Sequence, residues 1–166
     1  MSRIRGRDTK PELVVRRWLW HQGFRYRLYV KSLPGCPDIV MRKWRTAIFV
    51  NGCFWHGHEC NKRRPVTNAQ FWRDKITRNR ERDARNQESL RASGWHVIVV
   101  WECQLAASRR QATLRELDIA LSRIVLERNG ILPRPYHTPG ENSALPIAAE
   151  PDTGYGSEPP QSTITG

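Results

Sequence analysis

The chain has no long hydrophobic run and no apolar segment near its start. No stretch of the 166 residues approaches the roughly 20 consecutive apolar residues of a transmembrane helix. Residues 1–8 are basic and no apolar stretch follows them, unlike a secretory signal peptide. These absences argue against a membrane protein and a secreted protein, and we expect a cytoplasmic protein that does not act at a membrane.

Acidic residues are few. The chain has 16 Asp and Glu against 28 Lys and Arg, so its formal net charge is +12. Most of the basic residues are Arg, whose planar guanidinium suits bidentate contacts with phosphate and guanine. A basic surface can also be a solvated face without a partner, so charge alone favours nucleic acid by only about two to one. The charge therefore predicts nucleic acid as the partner, and other features must decide the function.

Cysteines are scarce and do not form the CxxC pairs of a zinc knuckle. In a reducing cytoplasm the four cysteines are expected to be metal ligands or free thiols. Three of them combine with one histidine at a spacing that suits tetrahedral Zn²⁺ and would tie a loop to a remote strand: Cys53, His58, Cys60 and Cys103. The alternative is that these cysteines are small buried hydrophobic residues. Cys36 is interpreted as a free thiol.

The pattern of apolar residues in the first half predicts a helix followed by three strands. Thr9 is expected to cap a helix that ends at Gly23. Alternation over residues 24–30 predicts a half-buried strand. Residues 38–41 and 46–50 are expected to form two central strands of a hairpin.

The second half predicts two helices around one more strand. Asn68 is expected to cap a helix that runs to about residue 93, and residues 95–101 contain an apolar run typical of a strand buried on both faces. An amphipathic helix then ends at Gly130. Together the two halves predict a single α/β domain over residues 1–130.

Residues 131–166 have a different composition. They contain seven of the 11 prolines and few large apolar residues, and one Arg stands against four acidic residues. Their net charge of −3 leaves 12 + 3 = +15 for residues 1–130. Such a segment cannot bury enough apolar surface to fold, so we expect a disordered tail.

A candidate catalytic set accompanies the predicted hairpin. Cleavage of a phosphodiester needs a metal ion at the phosphate and a base that activates water. Asp38 can bind Mg²⁺, with the backbone carbonyl of Val50 as another oxygen ligand. His56 can accept the proton from water, and Glu12 and Asp83 can orient waters around the metal ion. However, an Asp after Pro is often a turn residue, and His56 can also be a zinc ligand, so both readings stay open.

Four segments in order resemble one family: LPGCPDIV at 33–40, IFVNGCFWHGHEC at 48–60, FWRDKITRNRERD at 71–83 and GWHVIVVWEC at 94–103. They are similar to the very short patch repair endonucleases, the Vsr family, over residues 2–105. The resemblance implies a fold similar to type II restriction enzymes, with a central mixed sheet flanked by helices and a structural zinc site. It also implies nicking of DNA on the 5′ side of the thymine in T:G mismatches, which arise when 5-methylcytosine deaminates.

The resemblance also implies roles for individual residues. Asp38 matches the ligand of catalytic Mg²⁺ and His56 the general base, while Glu12 and Asp83 match supporting residues. The four zinc ligands named above match as well. Further matching positions are the aromatic residues that enter the base stack beside the mismatch: Phe54, Trp55 and Trp72. From the sequence alone, a core position for Trp72 near a helix start is favoured by about two to one.

The sequence departs from the family pattern at three places. Val50 stands where some members have Thr, and Asn51 stands where others have His or an acid. The N-terminal arm that many members use to grip DNA is short, so we expect either a lower affinity for DNA or replacement of part of the arm by Arg3, Arg5, Arg7 and Lys10. Arg3, Arg5 and Arg7 are included among the candidate DNA contacts.

The sequence thus predicts a Mg²⁺-dependent, zinc-braced mismatch endonuclease that acts as a monomer on double-stranded DNA in the bacterial cytoplasm, at the nucleoid. Its expected functional links are to mismatch-repair proteins, a repair polymerase and a cytosine-5 DNA methyltransferase. Two alternatives remain: a restriction-like endonuclease that cuts paired DNA, and a zinc-containing DNA-binding protein without catalysis.

Overall fold

A computed structural model describes residues 7–60 and 68–131. Its helices are α1 (Lys10–His21), α2 (Ala69–Ala92) and α3 (Arg110–Arg128). Its strands are β1 (Arg27–Leu28), β2 (Ile39–Met41), β3 (Thr46–Asn51) and β4 (His96–Trp101). Two short 3₁₀ turns follow β2 and β4, at Arg42–Trp44 and Glu102–Leu105.

The four strands form one mixed sheet in the order β1-β2-β3-β4. The pairs β1–β2 and β2–β3 are antiparallel, whereas β3 and β4 are parallel over their whole length. Ile39 pairs with Ile48, and Asn51 pairs with Trp101. The predicted single α/β domain with a mixed sheet and flanking helices is confirmed, as are β2 and β3 as central strands.

The reversal between β2 and β3 depends on the 3₁₀ turn and on Arg45, which has a left-handed backbone with φ 44°. The Arg45 side chain donates a hydrogen bond to the Ser93 carbonyl over 2.5 Å, which connects the hairpin to the end of α2. Because the hairpin is antiparallel and Ile39 pairs with Ile48, the residues just before β2 run beside the second half of β3. This register brings Asp38, just before β2, next to Val50.

The hydrophobic core lies between one face of the sheet and two helices. Ile39, Met41 and Ile48 project from the central strands and are fully buried. They pack with residues of α1 and α3, notably Leu19 and Leu121. Burying such a side chain contributes about 1.5–3 kcal/mol, so this layer is the main source of stability for the sheet.

The opposite face of the sheet is also covered. Val40 and Ala47 point away from the first core layer and are fully buried. Helix α2 packs along β4, and its single buried residue in the described part of the chain is Leu90. The remaining residues of α2 are half-buried or exposed.

The predicted helix starts are confirmed in position. The Thr9 hydroxyl accepts a hydrogen bond from the Glu12 N–H at the start of α1, as expected of a cap. Asn68 precedes α2 as predicted, but its backbone is left-handed, with φ 57°, and its side chain makes no capping hydrogen bond. The predicted capping role of the Asn68 side chain is therefore wrong.

Two predicted strands differ from the structure. The strand predicted over 24–30 shrinks to Arg27–Leu28, because Tyr29 has a left-handed backbone with φ 49° that ends the extended segment. The alternation arises because Phe24 and Tyr26 pack against the core. Strand β4 is only half-buried and lies at the end of the described sheet order. Its apolar run did not distinguish an edge strand covered by a helix from a central strand.

The chain divides into two units, Met1–Arg134 and Pro135–Gly166, and all described residues belong to the first. The predicted tail lies outside the described residues except for Ile131, and so do Arg3 and Arg5. No helix in the described ranges is both long enough and apolar enough to cross a membrane.

Candidate active site and metal centre

A cleft of about 700 Å³ opens at the end of the sheet where β3 and β4 finish. Its walls come from the start of α1, the start of β2, the end of β3 with the following loop, and the middle of α2. The cleft contains every residue predicted for catalysis, together with Val50: Glu12, Asp38, His56 and Asp83. The fold therefore assembles at one place residues that are distant in the sequence.

Asp38 is held against the sheet at the floor of the cleft. Its Oδ2 accepts a hydrogen bond of 2.8 Å from the Val50 N–H. Its other oxygen accepts no hydrogen bond from the part of the chain that the structure describes. The pKa of Asp38 is raised to about 6, chiefly by burial; the Val50 hydrogen bond opposes this rise and the Glu12 charge adds to it. The ionised carboxylate is thus costly here unless a cation lies next to it.

His56 lies in the loop after β3, and Asp83 on α2 orients its ring. The Nδ1–H group of His56 donates a hydrogen bond to Asp83 Oδ2. Both side chains are about one-fifth exposed. Arg82 also donates to the other oxygen of Asp83, over 3.2 Å. With Nδ1 as the donor, the lone pair of the His56 ring is at Nε2.

Glu12 is almost completely buried at the rim of the cleft, where it is 3% exposed. Its Oε1 accepts a hydrogen bond of 2.9 Å from the Thr9 hydroxyl. Its Oε2 accepts from Arg16 Nη2 at 2.5 Å and from the Tyr29 hydroxyl at 2.5 Å. Both oxygens are therefore bound by protein donors, in addition to any role they have toward waters in the cleft.

The four predicted zinc ligands come together beside this cleft. One ligand atom from each of Cys53, His58, Cys60 and Cys103 lies within 4.8 Å of all the others. Ligands 2.3 Å from a tetrahedral centre lie roughly 3.8 Å apart, so this cluster can hold a metal ion after small movements. The predicted grouping is thus confirmed as a cluster that could bind metal.

The chemistry of the cluster also favours a bound cation. Burial raises the pKa of the Cys53 thiol to about 12 and raises the pKa of Cys103. A buried and a half-buried thiol so close together cannot both ionise without a positive charge between them. The neighbouring His58 ring stacks on Trp101 with centroids 4.3 Å apart, which holds the imidazole beside the thiols.

The loop that joins the cleft to the metal cluster packs tightly on α2. Gly57 has a positive φ of 65°, and a Cβ atom there would lie 2.5 Å from Ile76 Cγ2. The Asn79 side chain donates a hydrogen bond of 3.0 Å to the Trp55 carbonyl in the same loop. Only glycine fits at position 57, because any side chain would collide with α2.

An aromatic cluster extends from the cleft toward solvent. Phe54, Trp55 and Trp72 contact one another edge to face, with centroids 5.1–5.8 Å apart. All three are half-buried, and the adjoining Phe71 is 54% exposed. The Lys75 ammonium lies 5.4 Å from the Trp72 ring centroid. Trp72 is therefore part of a surface cluster, and the reading of this residue as core is wrong.

Positive charge lies along helix α2, which carries Trp72, and at Arg7. Arg7 is exposed and stacks over the Tyr29 ring at 4.7 Å. Helix α2 carries six exposed arginines: Arg73, Arg78, Arg80, Arg82, Arg85 and Arg91. Such a surface attracts a polyanion over a distance comparable to the Debye length, about 8–10 Å.

Comparison with known proteins agrees with this geometry. The family model described as DNA mismatch endonuclease Vsr matches residues 1–62. A type II nicking enzyme of Neisseria meningitidis serogroup A is 48% identical over 128 residues, which cover 76% of this chain and 87% of that enzyme. This chain belongs to the Vsr family.

Other relatives fit the same assignment. The DNA mismatch endonuclease Vsr of Escherichia coli is 44% identical over 106 residues, covering 63% of this chain and 68% of that protein. A type II nicking enzyme of Xanthomonas oryzae pv. oryzae is 47% identical over 107 residues, covering 64% and 79%. The predicted family and the predicted enzyme class, a DNA endonuclease, are thereby confirmed.

The structure also reveals residues that the sequence did not indicate for this Vsr family member. Glu102 directly follows β4 and lines the cleft opposite Gly52. Its position after a strand parallel to β3 was a usable signal, because carboxyl ends of neighbouring parallel strands meet at one edge. The contact of Arg16 with Glu12 did have a signal, since the two residues are four apart on α1. Tyr29 had none, because only the packing of α1 against the segment before β2 brings it to Glu12.

Proposed function

We propose that this Vsr family member is a Mg²⁺-dependent endonuclease that nicks one strand of double-stranded DNA 5′ of the thymine in a T:G mismatch. The observation that carries the proposal is a single cleft that combines Asp38, the hydrogen-bonded pair His56–Asp83 and an adjoining aromatic cluster. The names of relatives, mismatch endonuclease and nicking enzyme, support it.

Asp38 and Val50 are the residues that would hold the catalytic Mg²⁺. The donor set fits, because Mg²⁺ prefers oxygen ligands and the half-buried Asp38 carboxylate accepts no hydrogen bond from a cationic side chain among the described residues. When bound, Mg²⁺ supplies stabilisation of the negative charge that develops on the scissile phosphate. Asp38 contributes a negative charge at the floor of the cleft, and the Val50 N–H orients its carboxylate there.

His56 would act as the general base. With Nδ1–H donated to Asp83, Nε2 can accept the proton of the attacking water. The resulting imidazolium is stabilised by the Asp83 carboxylate, which also prevents rotation of the ring. Glu12 would complete the site by placing a second negative charge near Asp38, and the leaving oxygen takes its proton from solvent.

The cluster at Cys53 and Cys103 would hold a structural Zn²⁺ ion. All four positions are occupied by protein ligands, which is typical of structural rather than catalytic zinc. The cluster ties the loop that carries His56 to the end of β4, so zinc would hold the base in place. A restriction-enzyme-like arrangement of the sheet and helices is part of the same proposal.

Recognition of the mismatch would come from Phe54, Trp55 and Trp72. Inserting aromatic side chains into DNA costs a few kcal/mol for unstacking, and a mismatch lowers this cost. The arginines of α2, together with Arg3, Arg5 and Arg7, would neutralise phosphates on either side. The remaining proposals follow the family: a monomer in the bacterial cytoplasm, linked to mismatch-repair proteins, a repair polymerase and a cytosine-5 methyltransferase, with residues 131–166 as a tail outside the 1–130 domain.

The test is cleavage of a labelled duplex with one T:G mismatch in a methylated-cytosine context, compared with the same duplex fully paired. We expect Mg²⁺-dependent nicking confined to the thymine strand of the mismatched duplex. Equal cutting of both duplexes would instead assign the protein to restriction-like cleavage. Binding without cutting across all contexts would show a DNA-binding protein that has lost catalysis.

The aromatic cluster yields a separate prediction. Trp72→Ala should lower nicking of the mismatch by about 10–100-fold, because stacking on an aromatic side chain contributes about 1–3 kcal/mol. The melting temperature should change little, since Trp72 lies at the surface. Single-turnover nicking and thermal melting measure the two effects.

Trp20→Ala is the matched control for this prediction. Trp20 is 57% exposed, stacks under Arg25 at 4.3 Å and does not line the cleft. We expect its nicking rate to stay within twofold of the unmodified protein. Similar losses in both variants would argue that surface tryptophans act through general DNA affinity instead of mismatch recognition.

A further inference from the structure

A partly buried polar network supports the rim of the proposed active site and joins Glu12 to residues that the mechanism does not use. It consists of Asp8, Thr9, Glu12, Arg16 and Tyr29. Glu12 is 3% exposed and Arg16 is 6% exposed, so their charges are almost completely removed from water. A buried ion pair of this kind is weak evidence for stability, because desolvation offsets most of the attraction. A role in positioning is the alternative that the contacts support.

The network binds both oxygens of Glu12 from several directions. Thr9 donates to Oε1, while the Asp8 N–H, Arg16 Nη2 and the Tyr29 hydroxyl all donate to Oε2. Arg16 Nη1 is bound by Asp8 Oδ1 at 2.6 Å. With this many partners, the Glu12 carboxylate has one orientation at the cleft rim.

Tyr29 connects this network directly to Asp38. Its backbone N–H donates a hydrogen bond of 3.4 Å to the Asp38 carbonyl, while its hydroxyl reaches Glu12. The left-handed backbone at Tyr29, with φ 49°, turns the side chain back toward α1. This conformation is uncommon for a residue other than glycine, and such residues persist where surrounding contacts determine them. One residue thus sets the relation between two carboxylates of the cleft.

Arg16 completes the arrangement. Its guanidinium lies over the Tyr29 ring at 5.1 Å and also donates to the Tyr29 hydroxyl. Its Nε is the one buried side-chain polar atom without a hydrogen-bond partner among the residues that the structure describes. The guanidinium is therefore placed for its contacts with Glu12, Asp8 and Tyr29 at the cost of its own remaining hydrogen bond.

We propose that Tyr29 and Arg16 are positioning residues that hold Glu12 toward Asp38, so that the two carboxylates together set how tightly the cleft binds a divalent cation. The inference rests on the proposed function, since it assigns the cation to the same cleft. Opposing carboxylates attract a divalent ion more strongly than one alone, provided neither can rotate away. Removing the Tyr29 hydroxyl takes away one of the donors that orient the Glu12 carboxylate, while the charge of Glu12 remains.

The test uses Tyr29→Phe in the full chain, with Mn²⁺ as the probe. Binding is measured by electron paramagnetic resonance, independently of nicking. We expect the Mn²⁺ dissociation constant to rise about 5–10-fold, because one hydrogen bond to a charged group is lost. The Mg²⁺ concentration for half-maximal nicking should rise by the same factor, while the rate at saturating Mg²⁺ stays within about threefold.

Tyr26→Phe is the matched control. The Tyr26 hydroxyl donates to the Arg16 backbone carbonyl over 3.1 Å and does not contact Glu12. Loss of this hydroxyl should leave Mn²⁺ binding unchanged. If Tyr29→Phe binds Mn²⁺ as tightly as the unmodified protein, or if both variants weaken binding equally, the positioning role is wrong.

A third variant separates this inference from the proposed function. Asp38→Asn should remove the Mn²⁺ site that Tyr29→Phe weakens. If the unmodified protein and Asp38→Asn bind Mn²⁺ identically, the cation is not in this cleft, which overturns the metal part of the proposed function along with the inference. Normal binding to unmodified protein with no effect of Tyr29→Phe overturns the inference alone.

Discussion

Asp38→Asn is expected to lower the nicking rate by about 1,000-fold or more while making the protein more stable at pH 8 in the absence of Mg²⁺. The rate falls because the cleft loses the negative charge that holds the cation, an effect of several kcal/mol. The backbone contact survives, since the Asn carbonyl oxygen can still accept the Val50 N–H hydrogen bond. The loss of activity should therefore occur in a fully folded protein.

The gain in stability follows from the raised pKa of Asp38. The folded pKa of about 6 lies above the ordinary value of 3.8, so the native protein binds more protons than the unfolded chain between these values. Stability therefore falls as pH rises through this window, and the penalty is complete above pH 6. Asn carries no charge and does not incur this penalty. The free energy of unfolding of Asp38→Asn should therefore exceed that of the unmodified protein by up to about 3 kcal/mol at pH 8 and by almost nothing below pH 4.

Urea unfolding of the zinc-loaded protein without Mg²⁺ at pH 4 and pH 8, with nicking assays beside it, measures both effects. The control is Asp118→Asn, because Asp118 is an exposed residue of α3 that does not line the cleft. It should change stability by no more than about 0.5 kcal/mol and leave nicking unchanged. Destabilisation by Asp38→Asn at pH 8 would show that Asp38 is a structural residue.

Cys103→Ser is expected to abolish zinc binding and to destabilise the domain by more than about 4 kcal/mol, because structural zinc binding is coupled to folding. The expected zinc content falls from one ion per chain to none, measured by elemental analysis, with a large drop in melting temperature. Nicking should be lost as well, since the loop that carries His56 also carries three of the four ligands.

Cys36→Ser is the control for metal content. Cys36 is a half-buried free thiol outside the ligand cluster, so its replacement should leave one zinc ion bound. If the unmodified protein contains no zinc after purification from zinc-supplemented medium, the prediction is contradicted. Retention of zinc by Cys103→Ser would show that the cluster can bind it with three ligands.

The two predictions concern the same electrostatic problem at neighbouring places, namely an anion whose ionisation burial opposes. At Asp38 a carboxylate is kept where ionisation is unfavourable, and at Cys53 burial opposes ionisation of a thiol. A cation relieves the strain in each case, a hard one among oxygen atoms and a softer one among sulfur atoms. Trp101 lies between the two sites, stacked on His58 and 6.5 Å from the His56 ring. A disturbance of the metal cluster would thus reach the base through a short path.

The sequence by itself determined the local elements and the family. Strong periodic patterns and end signals placed α1, the β2–β3 hairpin and α3, because caps, turns and apolar stripes act over a few residues. The grouping of Cys53, His58 and Cys60 could be predicted because these residues lie within one short loop. Contiguous motifs also identified the Vsr family, which the similarity to known nicking enzymes confirmed.

Only the tertiary structure decided how distant residues meet. The early end of β1, the edge position of β4 and the surface position of Trp72 depend on packing that local patterns do not record. Likewise Tyr29 joins Glu12 and Arg16, which are one helical turn apart on α1, only when α1 packs against the segment before β2. Local propensity acts through the chain, whereas these contacts join residues far apart in sequence, so their geometry follows from the folded topology alone.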